Sequence, residues 1–454
     1  MRTSIKLMTA LLFSVVIGFG FSQTASADVI DAPDPANNIP QVNAGNVLKD
    51  YSQTKLNAVD NPTLKGNMDR KYTERTLDEN SPSTTDSYAS TPDSSTQTTL
   101  QTKLYLPDGF NVTNYQHGNF QSITMDDSGN IYFIESNGSD TNLGVIVKYN
   151  LAQLEKLGVG KDPMALWKAF NYFNPYTDEG VSHNQQYETL YEQLKAQTNT
   201  AKQLKQQIGK LSTSKSDKQK RTTLNAKLSA VQSQINQVQQ QNADLFKYAK
   251  IDQAAQLSPQ VDIGHGQTLS FNPVNKHLYI VEDNTLTDLR NRTENNTVLE
   301  MTTSNLKPIR QYNFQMFHGD SANLQLHTLA WDKQGNAYWG RKTGLGYMFF
   351  YGRMDEHDVQ FQAAPSYVKN RGGSPNQGVS YNPASDRLYF VSDDILTSIP
   401  AQQVRDGSFT PSDIHYDAFT SNRECESLAF DQDGYGYLLV LWPAEVMKSS
   451  TPLD

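Results

Sequence analysis

Five residues that could bind a ligand or carry protons occupy the same place in a short pattern that recurs five times. The pattern runs polar, small, aliphatic, small, large apolar and then Asp or Asn. Amides, an imidazole and a carboxylate at equivalent positions could hydrogen-bond a hydroxyl-rich ligand or perform acid–base chemistry. The polar first positions are Gln121, Gln267, His327, Gln377 and Glu426.

Other polar residues lie one or two positions before this ring, namely His265, Asn376 and Glu424. Glycoside hydrolysis generally uses two carboxylates that flank the bond, and here only Glu424 and Glu426 are candidates, with His327 as an assisting group. No GxSxG, HExxH or Gly-rich phosphate motif is present. The sequence therefore lacks a recognisable catalytic set, predicts no metal or cofactor site, and favours ligand binding over catalysis.

The elements that must position these residues are hairpins. Each pattern is followed by a turn and a second apolar run, as in DDSGN followed by IYFIES. Alternating apolar and small residues indicate a half-buried strand, and Asp or Asn before Gly, Pro or Asn supplies turn chemistry. The turns DDSGN, DKQGN and DQDGY lack the ligand count of a calcium loop, so we interpret them as hairpin turns.

The spacing of the pattern predicts an all-β, five-bladed β-propeller over residues 98–454. Successive Asp or Asn positions are 146, 60, 50 and 49 residues apart, and 40 to 50 residues per unit is typical of propellers. The first strands would line a central channel, which makes the five first positions a polar ring at its mouth. The last unit lacks a fourth strand, which Thr98 to Leu106 is predicted to supply. A propeller with a sixth, degenerate blade is an alternative, because the first spacing is long even without its insertion.

That insertion has helical periodicity. Apolar residues follow a 3,4 spacing on both sides of the polar stretch STSKSDKQ, which predicts an antiparallel coiled-coil hairpin over residues 184–248. It falls between the third and fourth strands of the first blade. The aromatic residues Trp167, Phe170, Tyr172 and Phe173 precede it and are expected to pack this arm against the propeller. Three interpretations of the arm stay open: a solvated insertion without a role, a surface that contacts another molecule, and a site of self-association.

The N-terminal region has the composition of an exported protein. Residues 1–27 combine Arg2 and Lys6, an apolar stretch and Ala25-Ser26-Ala27, as in a cleavable signal peptide, and no transmembrane anchor is predicted. Residues 28–97 are rich in Ser, Thr, Asn and Pro and are predicted to be a disordered spacer. The single cysteine, Cys425, allows no internal disulfide and favours a Gram-positive bacterial source.

Charge limits the class of partner. The full chain carries a net charge of −9, which argues against nucleic acid. We therefore expect an extracellular protein, or one held non-covalently at the cell surface, whose partner is a cell-wall glycan or another envelope component.

The repeats resemble those of the helveticin J-like proteins, secreted bacteriocins of lactobacilli. The resemblance rests on SITMDDSGNIYFIES, GHGQTLSFNPVNKHLYIVEDN and RECESLAFDQDGYGYLLV, and it covers about residues 98–450 without the arm. It implies killing of related Gram-positive bacteria and carries over no catalytic residues. The signal peptide, spacer and arm depart from the simpler members.

Three functions follow from the sequence. The first is a secreted propeller that binds or acts on the cell envelope, as a bacteriocin would. The second is a carbohydrate-active enzyme that uses the channel mouth. The third is a surface adhesion or scaffold protein in which the arm mediates self-association.

Overall fold

The computed structural model describes residues 39–60, 82, 85–110, 118–137, 142–283, 295–318, 323–343, 346–370 and 372–454. The predicted signal peptide lies outside these residues. Among the residues described, four strands precede the first repeat: β1 (Gln41–Asn46), β2 (Asn57–Val59), β3 (Ser87–Ala89) and β4 (Thr99–Tyr105).

The first repeat forms sheet 1, into which the helical arm is inserted. Its strands are β5 (Asn119–Met125), β6 (Asn130–Ser136), β7 (Leu143–Asn150), β8 (Gln256–Leu257) and β9 (Val261–Asp262). Between β7 and β8 lie α1 (Leu151–Lys156), α2 (Ala165–Phe173), α3 (Asp178–Gly209), α4 (Lys215–Gln241) and α5 (Ala243–Asp252). The insertion therefore falls between the third and fourth strands of the first sheet, as the sequence predicts.

The next two repeats each form one sheet that also takes a strand from the N-terminal region. Sheet 2 contains β10 (Leu269–Asn272), β11 (His277–Val281), β12 (Asn296–Thr302) and β13 (Pro308–Gln315), with β1 added in parallel to β13. Sheet 3 contains β14 (Ala330–Trp331), β15 (Ala337–Thr343), β16 (Gly346–Met354), β17 (Val359–Ala363) and β18 (Ser366–Val368), with β2 added in parallel to β18.

The last two repeats complete the described set of sheets. Sheet 4 contains β19 (Gly378–Asn382), β20 (Arg387–Ser392), β21 (Ile395–Pro400) and β22 (His415–Ala418), with the short α6 (Ala401–Asp406) after β21. Sheet 5 contains β23 (Cys425–Phe430), β24 (Gly436–Val440) and β25 (Glu445–Ser449), then β4 and β3. β4 pairs antiparallel with β25, so the prediction that Thr98 to Leu106 completes the last unit is confirmed.

The sheets form a closed ring, which is the architecture of a β-propeller. The first strands β5, β10, β14, β19 and β23 each contact the next, and β23 returns to contact β5. The main apolar clusters lie between neighbouring sheets; one joins sheets 3 and 4 through Phe349, Phe390 and Val404, and another joins sheets 1 and 2 through Ile134 and Leu278. Removal of this apolar surface from water is the main force that holds such sheets face to face.

The hairpin turns owe their shape to the aspartate that ends the repeat pattern. The Asp126 carboxylate accepts hydrogen bonds from the backbone of Ser128 and Asn130, from the Asn130 amide and from the Tyr132 hydroxyl. Asp332 makes the same set of bonds in sheet 3. Because the turn itself occupies these oxygens, the interpretation of DDSGN and DKQGN as hairpin turns is confirmed.

The prediction of a disordered spacer over 28–97 is wrong for the described parts of that segment. β1, β2 and β3 extend the outer edges of sheets 2, 3 and 5, and Val47, Leu48 and Val59 are buried. Composition alone missed this because the segment needs no core of its own. Main-chain hydrogen bonds to an existing sheet edge and a few apolar anchors are enough to order it.

The arm is a long helical hairpin that extends beyond the predicted 184–248. α3 packs on α4, and α3 buries Tyr187, Leu194 and Ala201 at intervals of seven residues. The second half of the hairpin is interrupted at Asn242, so that α4 and α5 are separate helices. At its base, Phe170 contacts Phe110, and Phe173 contacts Tyr187, which confirms that this aromatic cluster joins the arm to the propeller.

Candidate functional site

The first-position residues lie where the first strand of each sheet begins. Gln121 is on β5 and Glu426 on β23, whereas Gln267, His327 and Gln377 lie one to three residues before β10, β14 and β19. The repeat register thus places all five at the same end of the first strands. The second strands run antiparallel to the first, so their last residues reach the same face of the ring.

Four of these five side chains are buried, which the sequence did not indicate. Gln121, Gln267, Gln377 and Glu426 belong to the interior, whereas the His327 side chain is 41% exposed. The predicted ring therefore consists of two parts. The four buried side chains form what we call the polar floor, and the fifth is an accessible histidine. Of the rim residues, His265 is exposed, and Asn376 and Glu424 are partly exposed.

A hydrogen bond across the ring joins two residues of the floor. Gln267 Nε2 donates to Glu426 Oε2 at 3.3 Å, although sheets 2 and 5 are not neighbours. Burial, followed by the nearby charge of Glu424, raises the pKa of Glu426 well above its ordinary value, and the bond from Gln267 only partly offsets this rise. Gln121 Oε1 is also buried and has no hydrogen-bond partner among the described residues.

On one side of the floor, a carboxylate orients the accessible histidine. Asp283 Oδ2 lies 2.6 Å from His327 Nδ1, and the Gln325 amide donates to Asp283 Oδ1. The backbone carbonyl of Asp283 accepts from the backbone N–H of His265 at 2.5 Å, which brings both histidines to one place. A carboxylate on Nδ1 leaves the other ring nitrogen of His327 to meet a ligand.

On the other side, sheets 4 and 5 supply acidic groups and an indole. The Trp442 Nε1–H donates to Glu424 Oε2 at 2.7 Å, and Trp442 is partly exposed. Asp393 Oδ1 accepts from the Cys425 backbone, whereas Asp393 Oδ2 has no partner among the described residues. Burial, aided by the charges of Glu424 and Asp394, raises the pKa of Asp393 to about 7.

Sequence reasoning missed Asp283, Asp393 and Trp442. Asp283 and Asp393 follow the ends of second strands, in LYIVED and LYFVSDD, and IYFIES ends in the same way. Acidic residues at the ends of several second strands were therefore a visible signal. Trp442 could not have been found in this way, because its place beside Glu424 depends on the loop between β24 and β25.

Cys425 has a structural environment. The thiol is buried, and its Sγ lies 3.4 Å from the backbone nitrogen of Asp394, which donates to it. Burial raises the pKa of this thiol well above its ordinary value. Since the thiolate is the nucleophilic form, burial makes Cys425 a poor nucleophile.

The residues in place can form hydrogen bonds but do not assemble a metal centre. Within the described ranges, no three His, Cys, Asp or Glu side chains are grouped so as to hold a metal ion. The face instead combines donors and acceptors of several kinds around a buried polar floor. Also within the described ranges, no helix has the length and apolar character needed to span a membrane.

Comparisons with known proteins do not assign this chain to a family. No family model matches it, and no curated protein matches it at a significant level. Among solved structures, a luciferin-regenerating enzyme is 10% identical with a TM-score of 0.26, over 41% of this chain and 61% of that enzyme. A glucose dehydrogenase is 8% identical with a TM-score of 0.31, over 82% of this chain and 100% of that enzyme. Scores this low support no inference about activity, and the propeller architecture rests on the strand pairing described above.

Proposed function

We propose that this chain is a secreted, five-bladed β-propeller that binds a glycan of the Gram-positive cell envelope at the face where its first strands begin. The observation that carries the proposal is the hydrogen bond between Gln267 and Glu426. It joins two buried first positions across the ring, and we call the polar face around them, with His327, Glu424 and Trp442 at its edge, the basin. Small-ligand sites are commonly concave and carry a small number of precisely placed polar groups.

The groups around this basin suit a sugar better than an ion or an apolar molecule. His327 offers a ring nitrogen in an orientation fixed by Asp283, and the partly exposed Glu424 offers a carboxyl group. Sugar hydroxyls both donate and accept hydrogen bonds, so they match such a mixed set. The partly exposed indole of Trp442 provides an apolar face against which a pyranose ring can pack.

Binding of isolated wall polysaccharide tests this proposal. Purified mature protein is titrated by calorimetry with neutral polysaccharide released from walls of lactobacilli. His327→Ala and Asp283→Asn should each weaken binding by about tenfold, the loss of one or two hydrogen bonds. His357→Ala is the matched control, because His357 is 83% exposed on the turn between β16 and β17. Equal affinity in all four proteins would refute the site.

Hydrolysis of the same class of ligand is a second candidate, favoured by the raised pKa of Glu426. A carboxyl whose pKa is raised by burial can act as a general acid. In that case Glu426→Gln should abolish the release of reducing ends from wall polysaccharide while leaving its binding intact. If binding persists and no reducing ends form even with the unaltered protein, the chain is a binding protein.

Two further properties belong to the same proposal. The resemblance of the repeats to helveticin J-like proteins supports a killing activity, which a count of surviving lactobacilli after exposure to the mature protein tests. Self-association is supported by α4, whose Leu224, Leu228 and Ile235 stay half-exposed beside α3. A coiled-coil hairpin with such a seam could accept helices from a second copy.

A further inference from the structure

The distal part of the helical arm, residues 193–243, has a charge opposite to that of the rest of the chain. It contains eight lysines and one arginine but a single acidic residue, Asp217, which gives it a net charge of +8. Since the whole chain carries −9, the remainder carries −17. Solvation of the helical hairpin does not by itself explain why basic residues are concentrated in the distal arm. A mixture of acidic and basic residues would solvate the helices equally well.

The cations of the distal arm are available to a partner. All eight lysines are exposed, and the ion pairs formed there with described residues are Lys195 with Glu192 and Lys220 with Asp217. These two pairs lie within single helices and on the surface, where ion pairs contribute little. The lysines without an ion pair to a described residue are Lys202, Lys205, Lys210, Lys215, Lys218 and Lys227.

The arm holds this charge away from the acidic propeller. α3 has 32 residues, which corresponds to about 48 Å at 1.5 Å per residue. Lys195 lies eight residues beyond Tyr187 at the arm base, or about 12 Å along the helix. Charges are screened beyond about 8 Å at physiological salt, so the distal arm attracts anions with little opposition from the body.

The end of the arm is also ordered before any partner arrives. The Ser214 hydroxyl caps α4 by accepting from the Asp217 backbone at 3.1 Å. The Arg221 guanidinium donates to the Leu211 carbonyl at 2.8 Å across the turn, and Asp217 accepts from the Ser212 backbone at 3.0 Å. A preformed set of cations loses less entropy on binding than a flexible basic tail would.

We propose that the distal arm is a binding surface for a linear polyol-phosphate polymer of the cell envelope. Lysine ammonium groups bind phosphates as point charges, and the Gln, Asn, Ser and Thr residues among them can hydrogen-bond polyol hydroxyls. A repeating phosphodiester can contact both helices along the arm, so that several weak contacts add to a useful affinity. This surface is separate from the basin around Gln267 and Glu426. Binding of the polymer by the arm is therefore tested independently of glycan binding at the basin.

Two other polyanions fit the surface less well. A lipid bilayer would need a broad apolar face on the arm, but the apolar residues of α3 and α4 form a narrow seam between the two helices. Nucleic acid recognition favours aromatic side chains for stacking and arginine for base edges. The distal arm has no aromatic residue and one arginine, Arg221.

The test uses the full mature protein and deacylated poly(glycerol phosphate) as the probe, so that no lipid is present. Binding is measured by calorimetry from 50 to 300 mM NaCl. The arm variant replaces Lys202, Lys205, Lys215 and Lys218 with Gln, which preserves helix propensity. The control variant replaces four exposed lysines outside the arm, Lys49, Lys55, Lys307 and Lys333, with Gln. Helix content by circular dichroism verifies that both variants fold.

The expected result is a linear fall of log affinity with log salt, and a loss of about tenfold or more in the arm variant alone. Equal affinity in the arm variant and the unaltered protein would overturn the proposal. So would equal losses in both variants, which would show a general charge effect. Tighter binding to phosphatidylglycerol vesicles or to a DNA duplex than to the polymer would overturn it too, because the partner would then be a membrane or a nucleic acid.

Discussion

Gln267 of sheet 2 donates a hydrogen bond to Glu426 of sheet 5 at 3.3 Å, across the axis of a ring in which these sheets are not neighbours. The bond joins two copies of the same repeat position, 159 residues apart in the chain. It joins two of the five polar first positions across the ring. It also gives the buried Glu426 a neutral partner rather than a cation, so its pKa stays raised.

Substitutions at the two ends of this bond should differ in effect. Gln267→Leu leaves the Glu426 carboxyl buried without its partner and should lower the free energy of unfolding by about 1–3 kcal/mol. Glu426→Gln keeps an amide oxygen that accepts from Gln267, so its loss should be smaller. Urea denaturation at pH 7 measures both. Equal losses would show that the bond does not hold the floor together.

Buried carboxyl groups at this face should make the protein more stable in mild acid than in mild base. Burial raises the pKa values of Glu135 and Glu426, and that of Asp393 to about 7. A carboxyl whose pKa is raised by folding contributes stability below its unfolded value near 4, and this contribution is lost as the pH rises towards 7. The melting temperature should therefore be a few degrees higher at pH 5 than at pH 8.

Asp393→Asn tests the cause of that pH dependence, since it should reduce the difference in melting temperature between pH 5 and pH 8. The opposite case is Glu300, for which burial would raise the pKa, but hydrogen bonds from His277 and Arg310 outweigh it and lower the pKa. The stability that Glu300 contributes is lost only as the pH falls to about 4.5 and below. The Glu300→Gln variant should therefore keep the full difference in melting temperature between pH 5 and pH 8. If this difference in melting temperature is unchanged in Asp393→Asn, Asp393 does not cause the pH dependence of stability.

Arg423 should be among the most sensitive positions for stability. Its buried guanidinium donates to Asp86 at 2.9 Å, to Glu445 at 3.1 Å and to the carbonyl oxygens of Leu441 and Pro443 at 2.6 Å. Arg423→Met leaves two carboxylates without their cation and should cost about 3–5 kcal/mol in the free energy of unfolding. Lys103→Met is the control, because Lys103 pairs with Glu155 at the surface and should cost less than about 1 kcal/mol.

Removal of the distal arm should leave the propeller intact. Replacement of residues 195–238 by a short Gly-Ser linker spares the aromatic base at Phe173 and Tyr187, so the thermal transition of the sheets should be unchanged. Light scattering of the same variant tests self-association through the arm. A full chain that is oligomeric and a variant that is monomeric would support it, whereas equal masses would exclude the arm as the contact.

The repeat pattern and the arm could be predicted from the sequence because both depend on local rules. An aspartate such as Asp126 bonds to residues two to six positions away, so the turn it forms is visible in a few letters. The seven-residue interval between Tyr187, Leu194 and Ala201 likewise lies within one helix. The edge strands β1 to β3 were missed, because their stability comes from sheets formed by residues far along the chain.

The sequence by itself determined that five equivalent positions carry polar side chains and that they lie at one level. Only the tertiary structure decided which of them meet solvent. Ring closure brings Gln267 to Glu426 and buries both, whereas His327 stays accessible because Asp283 holds it at the edge. Register along a strand is a local property, but burial at the axis depends on how far opposite sheets approach one another, and packing of the whole ring sets that distance.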